Sequence, residues 1–374
     1  MKALAGNLLL ILAACTPSPE PLSGPQTVIA YVAGFRGLVD SESIDADKIT
    51  HINYAFVDVK DSIAWLRRAA TDTVNFRKLN SLKSKNADLK LLISIGGWSW
   101  SENFSDAVLT QSSREKFALS AVEIVRQHHL DGIDIDWEYP GMPGEDNVFR
   151  PEDKQNFTLM FKTIREKLDV LTKETGKSYL LTTAVGGFQE CINHMEMDQA
   201  AQYLDYVNIM TYDFYTEGDS AGHHTNLFSS ESTHELSADR AVREYIQAGV
   251  PANKLVIGIA FYGRSWIMQS ADNNGLNRPV KEVLQGAGYS VIKDSLADKK
   301  GLIRHWDDKA KAPYLFNSQT NQLVSYDDEE SVRHKCNYVK DKGLAGVMFW
   351  EYSSDPKEYL LGAIHKNMHE MKDP

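Results

Sequence analysis

Short apolar runs separated by amphipathic stretches recur along nearly the whole chain, and this alternation limits the possible folds more than any other feature. The runs are Thr27 to Ala33, His51 to Val57, Lys90 to Ile95, Gly132 to Asp136, Tyr179 to Val185, Tyr206 to Tyr212, Leu255 to Tyr262 and Gly343 to Trp350. Strands alternating with helical stretches imply parallel strands joined by crossover helices. Eight such units predict an α/β fold, a closed (β/α)8 barrel, with its working residues at the C-terminal strand ends and in the loops that follow. A 374-residue chain with 43% hydrophobic residues can bury that core as one domain.

The fourth run continues as L-D-G-I-D-I-D-W-E-Y-P-G, from Leu130 to Gly141. On an extended strand alternate side chains share a face, so Asp134, Asp136 and Glu138 form a column with about 6.6 Å between successive members. Ile133, Ile135 and Trp137 take the other face, where packing against outer helices is the expected role of Trp137. Lining up three acids on a buried strand is costly unless the charge is used. A solvated edge strand would be the plain alternative, but the flanking Ile and Trp do not suit one and Asp is poor in strands. Glu138, outermost, is the candidate general acid. Asp131 has the wrong parity for the column and reads as a structural cap or turn.

The pattern D-x-x-D-x-D-x-E, here Asp131, Asp134, Asp136 and Glu138, resembles the signature of the family 18 glycoside hydrolases, and Trp137-Glu138-Tyr139-Pro140 looks like its chitinase branch. The resemblance runs from about Thr27 to Asp355. It implies retaining hydrolysis of β-1,4-linked N-acetylglucosamine chains with no cofactor and no metal. Ordinary retaining glycosidases carry a second carboxylate about 5 to 5.5 Å from the acid, whereas this family is substrate-assisted. The substrate's own 2-acetamido oxygen would attack the anomeric carbon, giving an oxazolinium ion. Asp136 would then bond the acetamido N–H, with Asp134 deeper and sharing a proton with it, because two close carboxylates do not both ionise cheaply. By the same resemblance Tyr212 bonds the acetamido oxygen, Met210 and Asp213 shape that subsite, and Ser94 and Tyr31 contact Asp134. Tyr262 and Arg264 would hold the sugar from the side of the insertion described below, and Trp350 would form the floor. Phe56, Gly97 and Tyr139 complete the substrate-binding set.

The strand ends carry suitable groups in their own right. Ser94-Ile95-Gly96-Gly97-Trp98 closes the third strand, Met210-Thr211-Tyr212-Asp213 the sixth, Phe261-Tyr262-Gly263-Arg264 the seventh, and Gly346 to Glu351 the eighth. Glycines admit close approach of backbone to a ligand. A pyranose has an apolar face and a polar rim, so flat indoles at Trp98 and Trp350 suit the face while Asp, Tyr and Arg suit the rim. Trp266 and Trp306 fit either core or site. His223-His224 lack further ligands at metal-binding spacing, and contact with a distal sugar is the alternative. His128-His129 read as helix-end residues favoured by the dipole.

Between Gly263 and about Ser325 the chain is too long for a βα loop and too rich in Trp306, Tyr314, Leu315 and Phe316 to be disordered. It predicts a small inserted α+β lobe at about 264–325, matching in position an insertion of many family 18 chitinases. The next helix is expected to start at Asp327, with Glu330 three residues on, and to stop at Gly343.

The first residues suggest export. Met1 and Lys2 precede the apolar run Asn7 to Ala14, too short to span a bilayer, and Leu12-Ala13-Ala14-Cys15 resembles the lipobox of bacterial lipoproteins. The expected organisation is a signal peptide at 1–14, a Pro- and Ser-rich tether at 15–26 with Cys15 lipidated, and a catalytic domain at 27–374. A membrane or cell-surface anchor follows, or a secreted or periplasmic protein if Cys15 is not acylated. Cys191 and Cys336 are expected as two lone buried thiols rather than a disulfide. A net charge of −11 and a pI near 5.5 argue against nucleic acid as a partner. The expected partner is chitin or its oligosaccharides, and the expected state a monomer. Two other functions fit the residues: an endo-β-N-acetylglucosaminidase acting on N-glycan cores, and a non-catalytic glycan-binding protein.

Overall fold

A computed structural model of the protein describes residues 26–216, 218–230 and 236–369. The expected signal peptide, Cys15 and all of the tether but its last residue lie outside the described residues.

Eight parallel strands form a closed barrel: β1 Thr27–Ala33, β2 His51–Lys60, β3 Lys90–Gly96, β4 Gly132–Asp136, β5 Leu180–Gly186, β6 Tyr206–Met210, β7 Leu255–Ala260 and β8 Gly346–Trp350. Each strand pairs with its neighbours in sequence, and β1 closes the ring by pairing with both β2 and β8. The alternation seen in the sequence sorts the side chains into two cores. Val28, Ala30, Ile133, Ile135 and Trp137 face the outer helices, while Ile29, Tyr31, Ala55, Val256 and Met348 fill the barrel. Trp137 stacks on Phe104 at 5.2 Å between ring centres, as its parity requires.

The outer helices follow local rules. Gln111–Gln127 opens on a capping box between Thr110 and Ser113 and buries Phe117, Ala118, Ala121, Val122, Ile124 and Val125 on one face. His128 is its C-cap, the helix-end place expected of it. Asp153–Thr175 buries Phe157, Phe161, Ile164, Leu168 and Leu171 and stops at Gly176 in the left-handed region. Asp131 is structural: it accepts the Leu91 N–H at 2.7 Å and pairs with Lys83 and Lys177 at 2.5 and 2.6 Å. Burial opposes its charge, but those partners hold its pKa below the usual carboxylate range.

Several strand limits differ from the sequence expectation. β7 ends at Ala260 rather than Tyr262, because Phe261 makes the last ladder bond to Trp350 O and Tyr262 already pairs antiparallel with Gly288. β6 ends at Met210, where the Thr211 N–H turns back to Ile209 O. β8 starts at Gly346, since Gly343 is spent as the left-handed cap of the preceding helix. That helix, Glu329–Lys342, is capped by Asp328 and Ser331, not by Asp327 with Glu330. Asp327 is fully buried and instead pairs with Lys335 at 2.6 Å.

The insertion is a sheet of six strands, running in spatial order Ile303–Asp307, Ala312–Asn317, Gln322–Ser325, Tyr262–Met268, Arg278–Gly288 and Ser220–Ala221. It begins two residues before the expected position 264 and recruits Ser220–Ala221 from the loop after β6. Trp266 lies in the core of this lobe with Met268, Leu276, Phe316 and Leu323. Trp306 packs against His334 on its outer side. Cys191 and Cys336 are both buried and unpaired, so no disulfide forms between them.

Candidate active site

The acid column stands on β4 with its deepest member enclosed on every side. Ser94, Asp134 and Thr182 are in register across β3, β4 and β5, so their side chains meet inside the barrel. Asp134 is fully buried and accepts four hydrogen bonds: from Tyr31 at 3.0 Å and Ser94 at 2.8 Å on Oδ2, and from Thr182 at 2.5 Å and Asn208 at 3.2 Å on Oδ1. Burial raises its pKa and the donors pull it back.

Asp136 has no such support. Its Oδ1 is buried with no hydrogen-bond partner in the protein, and burial, then the charges of Glu138 and Asp134, push its pKa well above the carboxylate range. Glu138 reaches about 7, raised first by burial and further by the charge of Asp213, with the Tyr139 hydroxyl opposing. Both oxygens of Asp134 accept hydrogen bonds, which favour its ionised form, while Asp136 stands between two carboxyls, Glu138 and Asp134, whose charges both raise it.

Two crossing loops fix the backbone here. Gly96 has φ 108°, and a Cβ there would lie 2.1 Å from Asp136 O, so only glycine lets β3 pass the end of β4. The Gly97 N–H donates to the same Asp136 oxygen at 2.7 Å. Ser101, fully buried, accepts the Glu138 N–H at 2.9 Å and donates to Gly97 O at 2.9 Å. Beyond Glu138, buried Asp153 accepts the Gly141 and Arg150 N–H groups and ties down the next loop.

Above the acids opens a cavity of about 890 Å³. Its floor is aromatic: Trp350 stacks on Phe56 at 5.4 Å and 17° and on Phe35 at 6.4 Å and 15°, with Trp100 set edgewise against Phe35 and Phe56. Trp98 is 49% exposed on the rim, 6.4 Å from the Tyr139 ring. Tyr31, Met210, Tyr212, Asp213, Tyr262 and Arg264 line the remaining wall with Asp136 and Glu138.

Tyr212 is seated against β7, where a Cβ on Gly258 would come within 2.6 Å of its ring, and its hydroxyl points to Met348 Sδ at 3.7 Å. Asp213 Oδ1 accepts from Tyr262 at 2.7 Å and Arg264 Nε at 2.8 Å, while Arg264 Nη2 reaches Oδ2 at 2.8 Å. Burial opposes ionisation of Asp213, but His224 and Arg264 overcome it and hold the carboxyl well below the usual range.

Nearly every site residue expected from the sequence converges here. Gly97 is the exception: it does not line the cavity but backs the Phe56 ring, which a Cβ would meet at 2.5 Å. Asp134 and Ser94 lie beneath the lining, as supports. Neither histidine of the His223-His224 pair is exposed to a sugar; both are fully buried, His223 against Asp307 at 3.3 Å and His224 against Asp213 at 3.4 Å. Among the described residues no group of three His, Cys, Asp or Glu side chains is placed to hold a metal. Sequence reasoning missed Phe35, Trp100, Phe188 and Thr216 in the lining, and Ser101, Thr182 and Asn208 beneath it. Thr182 and Asn208 carried a usable signal, a polar residue at inward parity in an apolar strand.

Chitinase A1 of Niallia circulans is 36% identical to this chain over 392 residues, covering 87% of the chain and 55% of its own length. The chain thus spans about half of that relative. A solved family 18 N-acetylglucosaminidase from Paenibacillus barengoltzii matches with a TM-score of 0.86 at 40% identity, over 91% of this chain and 99% of that one. Chitinase ChiA74 from Bacillus thuringiensis matches with a TM-score of 0.88 at 33% identity, over 92% and 70%. The sequence profile of glycosyl hydrolases family 18 matches residues 27–355. With the acid column, the closed barrel and the inserted sheet all in place, the chain belongs to glycosyl hydrolases family 18.

Proposed function

We propose that the chain is a chitinase that hydrolyses β-1,4-linked N-acetylglucosamine chains with retention of configuration. The observation that carries this reading is Glu138, a carboxyl raised to about 7 at the floor of an aromatic cavity, next to an Asp136 whose buried Oδ1 has no partner. A carboxyl that keeps its proton near neutral pH can protonate a leaving glycosidic oxygen. As that bond breaks, the substrate's acetamido oxygen attacks the anomeric carbon. Asp136 accepts the acetamido N–H and stabilises the charge on the oxazolinium, and Tyr212 orients the acetamido oxygen. Glu138, now ionised, takes a proton from the water that opens the ring and so restores the starting state. The Trp350, Phe56 and Phe35 rings present flat apolar surface to sugar faces, while Asp213, Tyr262 and Arg264 meet the polar rim.

Digestion of chitotetraose and of a high-mannose glycopeptide, with products resolved by mass and anomer, tests this. β-Anomeric chitobiose or N-acetylglucosamine from the first substrate alone supports it, and the product size separates a chitobiose-releasing enzyme from an N-acetylglucosaminidase such as the Paenibacillus relative. Cleavage of the glycopeptide alone would move the assignment to N-glycan cores. Cleavage of neither would leave glycan binding as the function.

We further propose that residues 27–374 act as a monomeric catalytic unit, exported and anchored through lipidated Cys15 and the 15–26 tether. The basic start, the short apolar run and Leu12-Ala13-Ala14-Cys15 support it. Cys15→Ser should free the full chain from membranes; retention in that variant would remove the anchor.

A further inference from the structure

Asp213 is met from two sides. Its side chain is 33% exposed and faces the cavity, where Tyr262 and Arg264 bond it, while His224 is sealed behind it at 0%. The His224 Nδ1 lies 3.4 Å from Asp213 Oδ1 and 3.4 Å from the Asp213 backbone N. The histidine is itself held firmly. Its backbone N–H donates to Ser325 Oγ at 2.8 Å, its carbonyl accepts the Phe214 N–H at 3.1 Å, and its ring packs 5.3 Å from that of Tyr262. Next to it His223 pairs with Asp307 on the lobe. One loop therefore joins the lobe sheet to the back of a cavity-lining carboxylate.

We propose that His224 is a positioning residue of the hydrolytic site, fixing the Asp213 carboxylate through Nδ1 from behind while Arg264 and Tyr262 fix it from the front. The proposal rests on the hydrolase reading above. Burial, aided by Arg264, outweighs the pull of Asp213 and keeps His224 below the usual histidine range, so the ring works as a neutral dipole. In one tautomer Nδ1–H donates to the carboxylate; in the other Nδ1 accepts the Asp213 N–H. The buried Nε2 has no partner to which it could donate, so the Nδ1–H form is the one that leaves no donor unpaired, and its contact sets where the negative charge of Asp213 stands relative to Glu138, whose proton that charge helps to retain. The groups facing this pair are Arg264 and Tyr262 from the lobe, Tyr212 beside Asp213, Glu138 from the end of β4, and Asp327 ahead of the last lobe-following helix. Arg264 alone is a poor clamp, because it is itself partly exposed and a bound sugar would compete for its hydrogen bonds.

The test is the pH profile of kcat and KM for chitotetraose hydrolysis by the full chain as wild type, His224→Asn, His224→Gln and His224→Leu. Asn places an amide at the Nδ1 position and can serve as donor or acceptor; Gln places it one bond further, away from Asp213, and Leu fills the space with neither. The expected result is wild-type behaviour within about threefold for His224→Asn, and a loss of kcat of about tenfold or more for Gln and Leu, with little change in KM. The alkaline limb should also move to lower pH in the Gln and Leu variants, since a displaced Asp213 supports the Glu138 proton less. If the Leu variant does not fold, the Asn and Gln pair decides. Wild-type kcat and an unmoved limb in His224→Gln would overturn the proposal, as would a loss in His224→Asn equal to that in the others. Absence of any cleavage by the wild type would overturn the hydrolase reading and this one together, whereas an active wild type with unimpaired Gln and Leu variants would overturn this one alone.

Discussion

Ser101→Ala isolates the backbone that carries the general acid. The Ser101 hydroxyl accepts the Glu138 N–H at 2.9 Å and donates to Gly97 O at 2.9 Å, with Asp136 O second in reach at 3.2 Å. Removing it does not orphan either carbonyl, because Gly97 O still accepts the Trp100 N–H and Asp136 O the Gly97 N–H. One group is left unpaired, the Glu138 N–H. An unsatisfied buried donor costs about 1–3 kcal/mol. If the Glu138 backbone shifts to recover a partner, the same energy is lost from the transition state, and at 1.36 kcal/mol per tenfold this is a fall in kcat of about 5- to 150-fold. KM should change little, because Ser101 lies beneath the cavity lining. The assay is steady-state hydrolysis of chitotetraose beside urea unfolding of the same variant. A loss of stability with kcat within twofold of wild type would refute the reasoning, for Ser101 would then serve the fold and not the position of Glu138.

Gly258→Ala would set a Cβ 2.6 Å from the Tyr212 ring, and should cost about 1–3 kcal/mol of stability and lower kcat by up to about 100-fold by displacing that hydroxyl; an active, equally stable variant would contradict the packing described. A carboxyl raised on folding keeps its proton above the unfolded value of about 4.3. The protonated Glu138 needed for catalysis is thus present at low pH and lost as pH rises through about 7, whereas its contribution to stability, full below about 4.3, falls as pH rises from there to about 7 and is then spent. Asp213→Asn removes a charge that supports this proton, so the alkaline limb of kcat should move to lower pH; an unmoved limb would exclude that charge as a cause. Lys335→Met leaves Asp327 buried without its counter-ion and should cost about 3–5 kcal/mol in urea unfolding, most of it recovered in the double variant with Asp327→Asn.

Much of this site could be read from the chain because its central element is a strand. Parity alone put Asp134, Asp136 and Glu138 on one face and Trp137 on the other, and the barrel rule placed Trp98, Tyr212, Tyr262 and Trp350 at one rim. What the sequence hid depends on neighbours distant along the chain. The donors that pull the pKa of Asp134 down against burial include Thr182 and Asn208 on strands distant along the chain, which the motif itself does not show. His223 and His224 look like a metal or sugar site until Asp307 and Asp213 are found beside them. Phe35 and Trp100 sit in single 3-10 turns too short to show a periodicity, so nothing marked them as floor. The shift of the helix cap from Asp327 to Asp328 has a similar origin. Two consecutive aspartates both fit the local rule, and the buried Lys335 claims the first.

Glu138→Gln bears most directly on the central claim. Gln fills the same space and keeps a hydrogen-bonding end, but it holds no transferable proton. Turnover of chitotetraose should fall by orders of magnitude while calorimetric binding of the same oligosaccharide persists, because the aromatic floor and the Asp213, Tyr262 and Arg264 wall are untouched. Full turnover in this variant would contradict the assignment of Glu138 as the acid and, with it, the proposed mechanism.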